Sequence, residues 1–308
     1  MTIENAIDTA FRLKLKNEPV SWKKLGEKAG VHPEKIRART RRLLKKHRKN
    51  SHNRPKILVF DLETTPLVSY IWSRWQKHIP DTNVTQDSFV LCWAAKWLFE
   101  DSLLSDVVTS KEAQNQDDYR IMKSLWALIN EADIIIGHNA LNFDIKVMNG
   151  RFLKHGLELP NPYQVIDTYR HAAKKFRLTS SGLNFLARYL GLPTKTDTNF
   201  KLWVDSMKGD SSSLNKMNDY CKNDVKVLED VYLTMRPYIQ PHPNVGVYVQ
   251  SEVLTCPSCG HDELEEEGTY ATSVNLYKAH RCKSCGSIAR SRTSLLTDRT
   301  HITSSVPR

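Results

Sequence analysis

Residues 57–66 read ILVFDLETTP, and the five letters FDLET within them decide how the rest of the chain is read. Residues 57–60 are a short, continuous apolar run, which predicts a buried strand. Side chains alternate along a strand, so Asp61 and Glu63 leave it on one face and Leu62 on the other. Two carboxylates side by side repel each other and resist burial, so either a cation sits between them or one of them keeps its proton. A hard divalent cation is the chemical reading. A solvated strand end is the alternative, and an isolated D-x-E pair does not separate the two.

The totals narrow the field. The chain has 308 residues, 40% hydrophobic and 26% charged. That is long enough for more than one domain and ordinary for a soluble globular protein. It lacks the run of about 18 apolar residues that a membrane span needs. The opening MTIENAIDTAFRLKLK lacks the apolar centre of a secretory signal. Four of the six cysteines fall in two C-x-x-C pairs, while Cys92 and Cys221 stand alone. This is metal-ligand usage in a reducing compartment, which points to the cytoplasm. Charge is unevenly spread: residues 1–56 hold 17 Lys+Arg against 5 Asp+Glu, and the remainder 28 against 29. A basic block of this kind expects a polyanion, most simply nucleic acid, with a solvated basic tail as the alternative.

Three segments follow. Residues 1–50 predict three short helices. Ile3, Ile7, Ala10 and Phe11 keep helical spacing, and Ser21 is placed to cap a second helix carrying Trp22, Leu25 and Ala29. Gly30-Val31 makes a turn, and Pro33 opens a third helix with Ile36, Leu43 and Leu44 facing inward. Helix, glycine turn and basic helix together predict a helix-turn-helix-like module. Lys35, Arg37, Arg39, Arg41, Arg42 and Lys45 would touch nucleic-acid phosphates, giving affinity rather than sequence choice. Residues 47–56 read as a linker. Residues 55–236 alternate apolar runs (SFVLCWAAKWLF, DIIIGHN, YQVIDTYR) with helical stretches at 115–131, 181–191 and 216–235, predicting an α/β domain. The proline-rich 236–244 reads as a second linker. Within 250–292, CPSCG and CKSCG place Cys256, Cys259, Cys282 and Cys285 as a four-thiolate structural zinc site, a zinc ribbon.

Two further carboxylates have suggestive surroundings. Asp144, in GHNALNFD, sits in the first turn of an expected helix, where the dipole alone favours it. Tyr220 and Asp224, in YCKND, are four apart on a helix and share a face. Asp167, in VIDTYR, reads as a strand-end helix cap.

Taken in order, FDLET, GHNALNFD and YCKND resemble the three motifs of the DEDD 3′–5′ exonuclease superfamily in its tyrosine-bearing branch, DEDDy. The closest form is the proofreading domain of family B DNA polymerases. The resemblance covers about residues 55–235. It implies a ribonuclease H-like mixed sheet with flanking helices, and two Mg²⁺ or Mn²⁺ held by Asp61, Glu63, Asp144 and Asp224. It also implies that Tyr220 orients the attacking water and that Leu62 and Asn139 lie at the substrate 3′ end. The expected activity is 3′–5′ hydrolysis of single-stranded DNA to nucleoside 5′-monophosphates. An exoribonuclease of the same fold is one alternative, and a non-catalytic DNA-binding regulator or adaptor is another. The added modules are foreign to ribonuclease D and suit a bacterial or phage-infected cell, with a replication or repair protein as a further partner. No Walker-type loop appears, so no ATP-driven motor is expected.

Overall fold

A computed structural model describes residues 1–15, 20–40, 54–194, 196, 198–249 and 251–304. The chain divides into two compact units, Met1–Arg54 with Val247–Glu252, and Pro55–Gly246 with Val253–Arg308. In the first, helices α1 (Ile3–Leu15), α2 (Trp22–Ala29) and α3 (33–40) bury Ala6, Ile7, Ala10, Leu25 and Ile36 in one cluster. Gly30 ends α2 in the left-handed region at φ 63°. Ser21 stands at the N-cap of α2, but its hydroxyl makes no cap bond. Lys35 and Arg39 are exposed, and Arg37 pairs with Glu34 at 3.0 Å. Arg41, Arg42, Leu43, Leu44 and Lys45 lie outside the described residues.

In the second unit, β1 (Ile57–Thr64) is the centre of a five-stranded sheet ordered β5-β4-β1-β6-β7. Its neighbours are β4 (Val90–Trp97) and β6 (Ile134–Gly137), flanked by β5 (Leu104–Val107) and β7 (Gln164–Asp167). β6 and β7 run parallel to β1, whereas β4 is antiparallel to both β1 and β5. Continuous apolar runs in β1, β4 and β6 need cover on both sheet faces, and they have it. Register places Ala94 and Cys92 opposite Asp61 and Glu63, and Trp93 opposite Leu62. On the Leu62 face the Trp93 indole donates to Ile121 O of α5 (Tyr119–Glu131) at 2.7 Å. On the Asp61 face lies α10 (Ser211–Met235), whose Cys221 thiol reaches Asp61 O. The mixed α/β sheet with flanking helices expected from sequence is therefore the observed fold.

Local details differ from expectation. The helical stretch read at 115–131 is helical only from Tyr119, where α5 begins; residues 115–118 form a turn, with Gln116 left-handed (φ 57°), that separates α5 from a preceding α4 (Ser110–Gln114). Further helices are α6 (Asp144–Lys154), α7 (Thr168–Lys175), α8 (Leu183–Tyr189) and α9 (Phe200–Met207). The expected second linker is a packed segment. Ile239 and Val245 are buried in the main core, and Tyr232 Oη bonds His242 Nε2 at 3.0 Å. Val245 N–H then donates to Pro257 O at 2.7 Å, tying this segment to the C-terminal part of the same unit. There β8 (Leu264–Ala271), β9 (Leu276–Cys282) and β10 (Ile288–Arg290) form an antiparallel sheet beside the cysteine cluster.

Candidate active site

The site begins on β1. Asp61 and Glu63 project over the short side chains of Ala94 and Cys92, which leave room for a helix to approach. The strand register shifts immediately after Glu63, so β1 ends in a bulge there. α10 fills the space and delivers Tyr220, Cys221 and Asp224. Carboxylate oxygens of Asp61, Glu63 and Asp224 all lie within 4.8 Å of one another. Asp224 is only 1% exposed, while Asp61, Glu63 and Tyr220 are half-buried.

Asp144 arrives from the other side of β1. It opens α6 after the turn at residues 138–143, is 3% exposed, and accepts the Leu62 N–H at 3.3 Å. The turn is tightly determined. A Cβ on Gly137 would lie 2.4 Å from that of Ala140, so only glycine fits. Asn139 is left-handed (φ 62°), a conformation asparagine tolerates well. Its N–H and that of Leu141 donate to the two carboxylate oxygens of Asp167, at 2.9 and 3.1 Å. Asp167 also caps α7 through Arg170 N–H, as its sequence context suggested. The Asn139 side chain accepts from Asn142 within the turn. Leu62 has its side chain buried in the core at 2% exposure, so what it presents beside Asp144 is its main chain.

Two neighbours of the carboxylates were not picked out as site residues from the sequence. The Trp203 indole, from α9, donates to Glu63 Oε2 at 3.2 Å and packs edge-on against Tyr220. Cys221 donates to Asp61 O at 3.4 Å and approaches Asp61 Oδ2 at 3.7 Å. Burial pushes the Cys221 thiol well above its ordinary range and the Cys92 thiol in the same direction, so both keep their protons. Cys221 has a faint sequence cue, lying inside YCKND. Trp203 has none, because it reaches Glu63 only through tertiary packing. A cleft of about 470 Å³ opens beside Tyr220, lined also by Thr198, Lys201, Leu202, Lys216 and Asp219.

Buried, convergent carboxylates are costly unless a positive charge compensates them. The donor set is all oxygen, which fits Mg²⁺ or Mn²⁺. In the C-terminal cluster, Cys256–Cys285 and Cys259–Cys282 sulfurs are both 3.6 Å apart. A tetrahedral ion with bonds of about 2.3 Å needs sulfurs about 3.8 Å apart, so the four cysteines fit Zn²⁺. Hydrogen bonds from Cys256 and Cys259 hold Cys285 far below the ordinary range, while pairing with Cys256 drives Cys259 far up. Gly260 and Gly286, both left-handed (φ 72° and 74°), bring the knuckle backbones round so that their N–H groups meet Cys256 O and Cys282 O. Among the described residues the cluster contains neither His261 nor His280.

No curated protein matches the chain. Among solved structures, the family B DNA polymerase from the hyperthermophilic archaeon Pyrobaculum calidifontis is similar at 17% identity and a TM-score of 0.44. That match covers 64% of this chain and 27% of the polymerase chain. Residues 92–236 match the family model described as the RNase H superfamily. The matched span holds Asp144, Tyr220 and Asp224, and β1 with Asp61 and Glu63 precedes it in sequence while pairing with β4 and β6 inside it. Residues 92–236 are thus similar to the RNase H superfamily.

Proposed function

We propose that the protein is a metal-dependent 3′–5′ exonuclease that acts on single-stranded DNA and releases nucleoside 5′-monophosphates. One observation carries this reading: Asp61, Glu63 and Asp224 converge to within 4.8 Å, with buried Asp144 bonded to the main chain between the first two. Asp61, Glu63 and Asp224 would hold one Mg²⁺ or Mn²⁺, and Asp61 with Asp144 a second. When bound, such a pair supplies charge stabilisation to the attacking and leaving oxygens of a phosphodiester. Tyr220, one turn before Asp224 and braced by Trp203, holds the attacking water. The turn at Asn139 and the main chain of Leu62 position the terminal nucleotide. The four cysteines hold a structural zinc, and Lys35, Arg37 and Arg39 with the basic residues after them add phosphate contacts.

Asp61→Asn tests the assignment. Hydrolysis of a single-stranded oligonucleotide is expected to fall by about a thousandfold or more, with binding retained. Wild-type hydrolysis by that variant would overturn the assignment. Competition between matched DNA and RNA strands decides the sugar preference.

A further inference from the structure

Between β1 and β4 the chain leaves the sheet and returns to the same point. Thr65 N–H donates to Phe89 O at 2.9 Å, and Phe89 N–H to the Thr65 hydroxyl at 3.1 Å, closing the base of an arm. Its stem is β2 (Val68–Ser69) paired antiparallel with β3 (Val84–Gln86). The tip is ordered by its own hydrogen bonds. Tyr70 and Asn83 bond each other twice, and the Gln76 side chain accepts from Trp72 N–H and donates to His78 O.

This ordered tip leaves its large rings in solvent: Trp72 is 93% exposed, Trp75 89% and Tyr70 77%. Elsewhere Trp93, Trp126 and Trp203 each donate the indole N–H to a protein acceptor. Three large exposed rings within six residues of an ordered element mark a binding surface. Chemistry selects the occupant. Between Thr64 and Pro80 there is no carboxylate, and Arg74, Lys77 and His78 alternate with the rings. Flat rings interleaved with cations suit the bases and phosphates of a single strand. An apolar protein groove would suit the rings and leave the cations unmatched.

Placement agrees. The arm starts two residues after Glu63, and the nine residue steps from Glu63 to Trp72 reach at most about 30 Å. At about 3.4 Å per stacked nucleotide, Trp72 lies within roughly nine nucleotides of Glu63. We infer that the 66–88 arm is a stacking platform. Trp72 and Trp75 hold bases of the strand on the 5′ side of the nucleotide being removed, while Arg74 and Lys77 hold its phosphates. This inference rests on the nuclease reading for its occupant's polarity.

The test compares wild type with a Trp72→Ala/Trp75→Ala variant. Binding of oligothymidylate of about 20 nucleotides, within the range single-strand sites cover, is followed by fluorescence anisotropy without added divalent cation. Hydrolysis is measured on that oligonucleotide and on the nitrophenyl ester of thymidine 5′-monophosphate, which is too small to reach the arm. The variant is expected to bind the oligonucleotide at least about tenfold more weakly and to raise its KM alike, with kcat and ester hydrolysis unchanged. An oligonucleotide abasic on its 5′ side should bind wild type as weakly as the intact one binds the variant. That arm needs no variant and stands even if the double substitution fails to fold. Equal binding of intact and abasic strands, or unchanged binding by a folded variant, overturns the platform and leaves the rings to a protein partner. If wild type hydrolyses neither substrate, the nuclease reading falls, and the binding comparison still decides the arm.

Discussion

Glu63 takes a hydrogen bond from Trp203, 140 residues along the chain, and nothing local in the sequence announces it. The carboxylates themselves were legible because each sits in a short pattern: D-x-E at a strand end, an Asp opening a helix, and Tyr and Asp four apart on a helix. The groups that orient them were not, because Trp203 and Cys221 meet Glu63 and Asp61 only once α9 and α10 have packed. Partners that orient metal ligands typically contribute 10–100-fold to metal affinity or activity. Trp203→Phe keeps a ring against Tyr220 and removes the N–H to Glu63. Calorimetric Mn²⁺ affinity is expected to fall about tenfold in that variant, and an unchanged affinity would show that the indole only packs.

At the scale of elements, the buried strands announced themselves through continuous apolar runs, and β1, β4, β6 and β7 lie where those runs lie. The short, half-buried LSDV of β5 left no such trace. α10 begins five residues before the apolar pattern that predicted it, since Asp210 caps a polar SSS run through Ser213 N–H. The break between α4 and α5 was hidden for a different reason. Asp118, at that break, is fully buried and accepts from Val90 N–H, Arg151 and His155, a role no local pattern encodes. Nearby, Arg120 ties α5 to α4 and β5 through Glu112 and Asp106. Its hydrogen bonds hold the Glu112 carboxyl down to about 2 from an ordinary 4.5. A depressed carboxyl adds stability above its unfolded pKa and loses it as pH falls through the folded one. Arg120→Met is therefore expected to cost about 1 kcal/mol at neutral pH, after allowance for the pair's partial exposure. The difference from wild type in denaturant midpoint should shrink between pH 4.5 and about 2. A difference that is constant across that window would assign the cost to lost packing.

For the whole molecule, a basic N-terminal segment, an α/β centre and a C-terminal cysteine cluster were all visible in composition and motif. What composition misjudged was 236–244, whose prolines suggested a free tether. Those residues instead pack against α10 through Ile239 and His242, and the cysteine cluster belongs to the same compact unit as the sheet. Prolines set local backbone angles and say nothing about whether the apolar residues between them find a core. The central claim is that the carboxylates of β1, α6 and α10 form one hydrolytic site acting at a strand's 3′ end. It is tested most directly with two 5′-labelled single-stranded DNA oligonucleotides, one with a free and one with a blocked 3′ end, incubated with Mg²⁺, Mn²⁺ or chelator. A metal-dependent ladder from the free-ended strand alone is the predicted result. Absence of cleavage with either metal, or equal cleavage of the blocked strand, would contradict it.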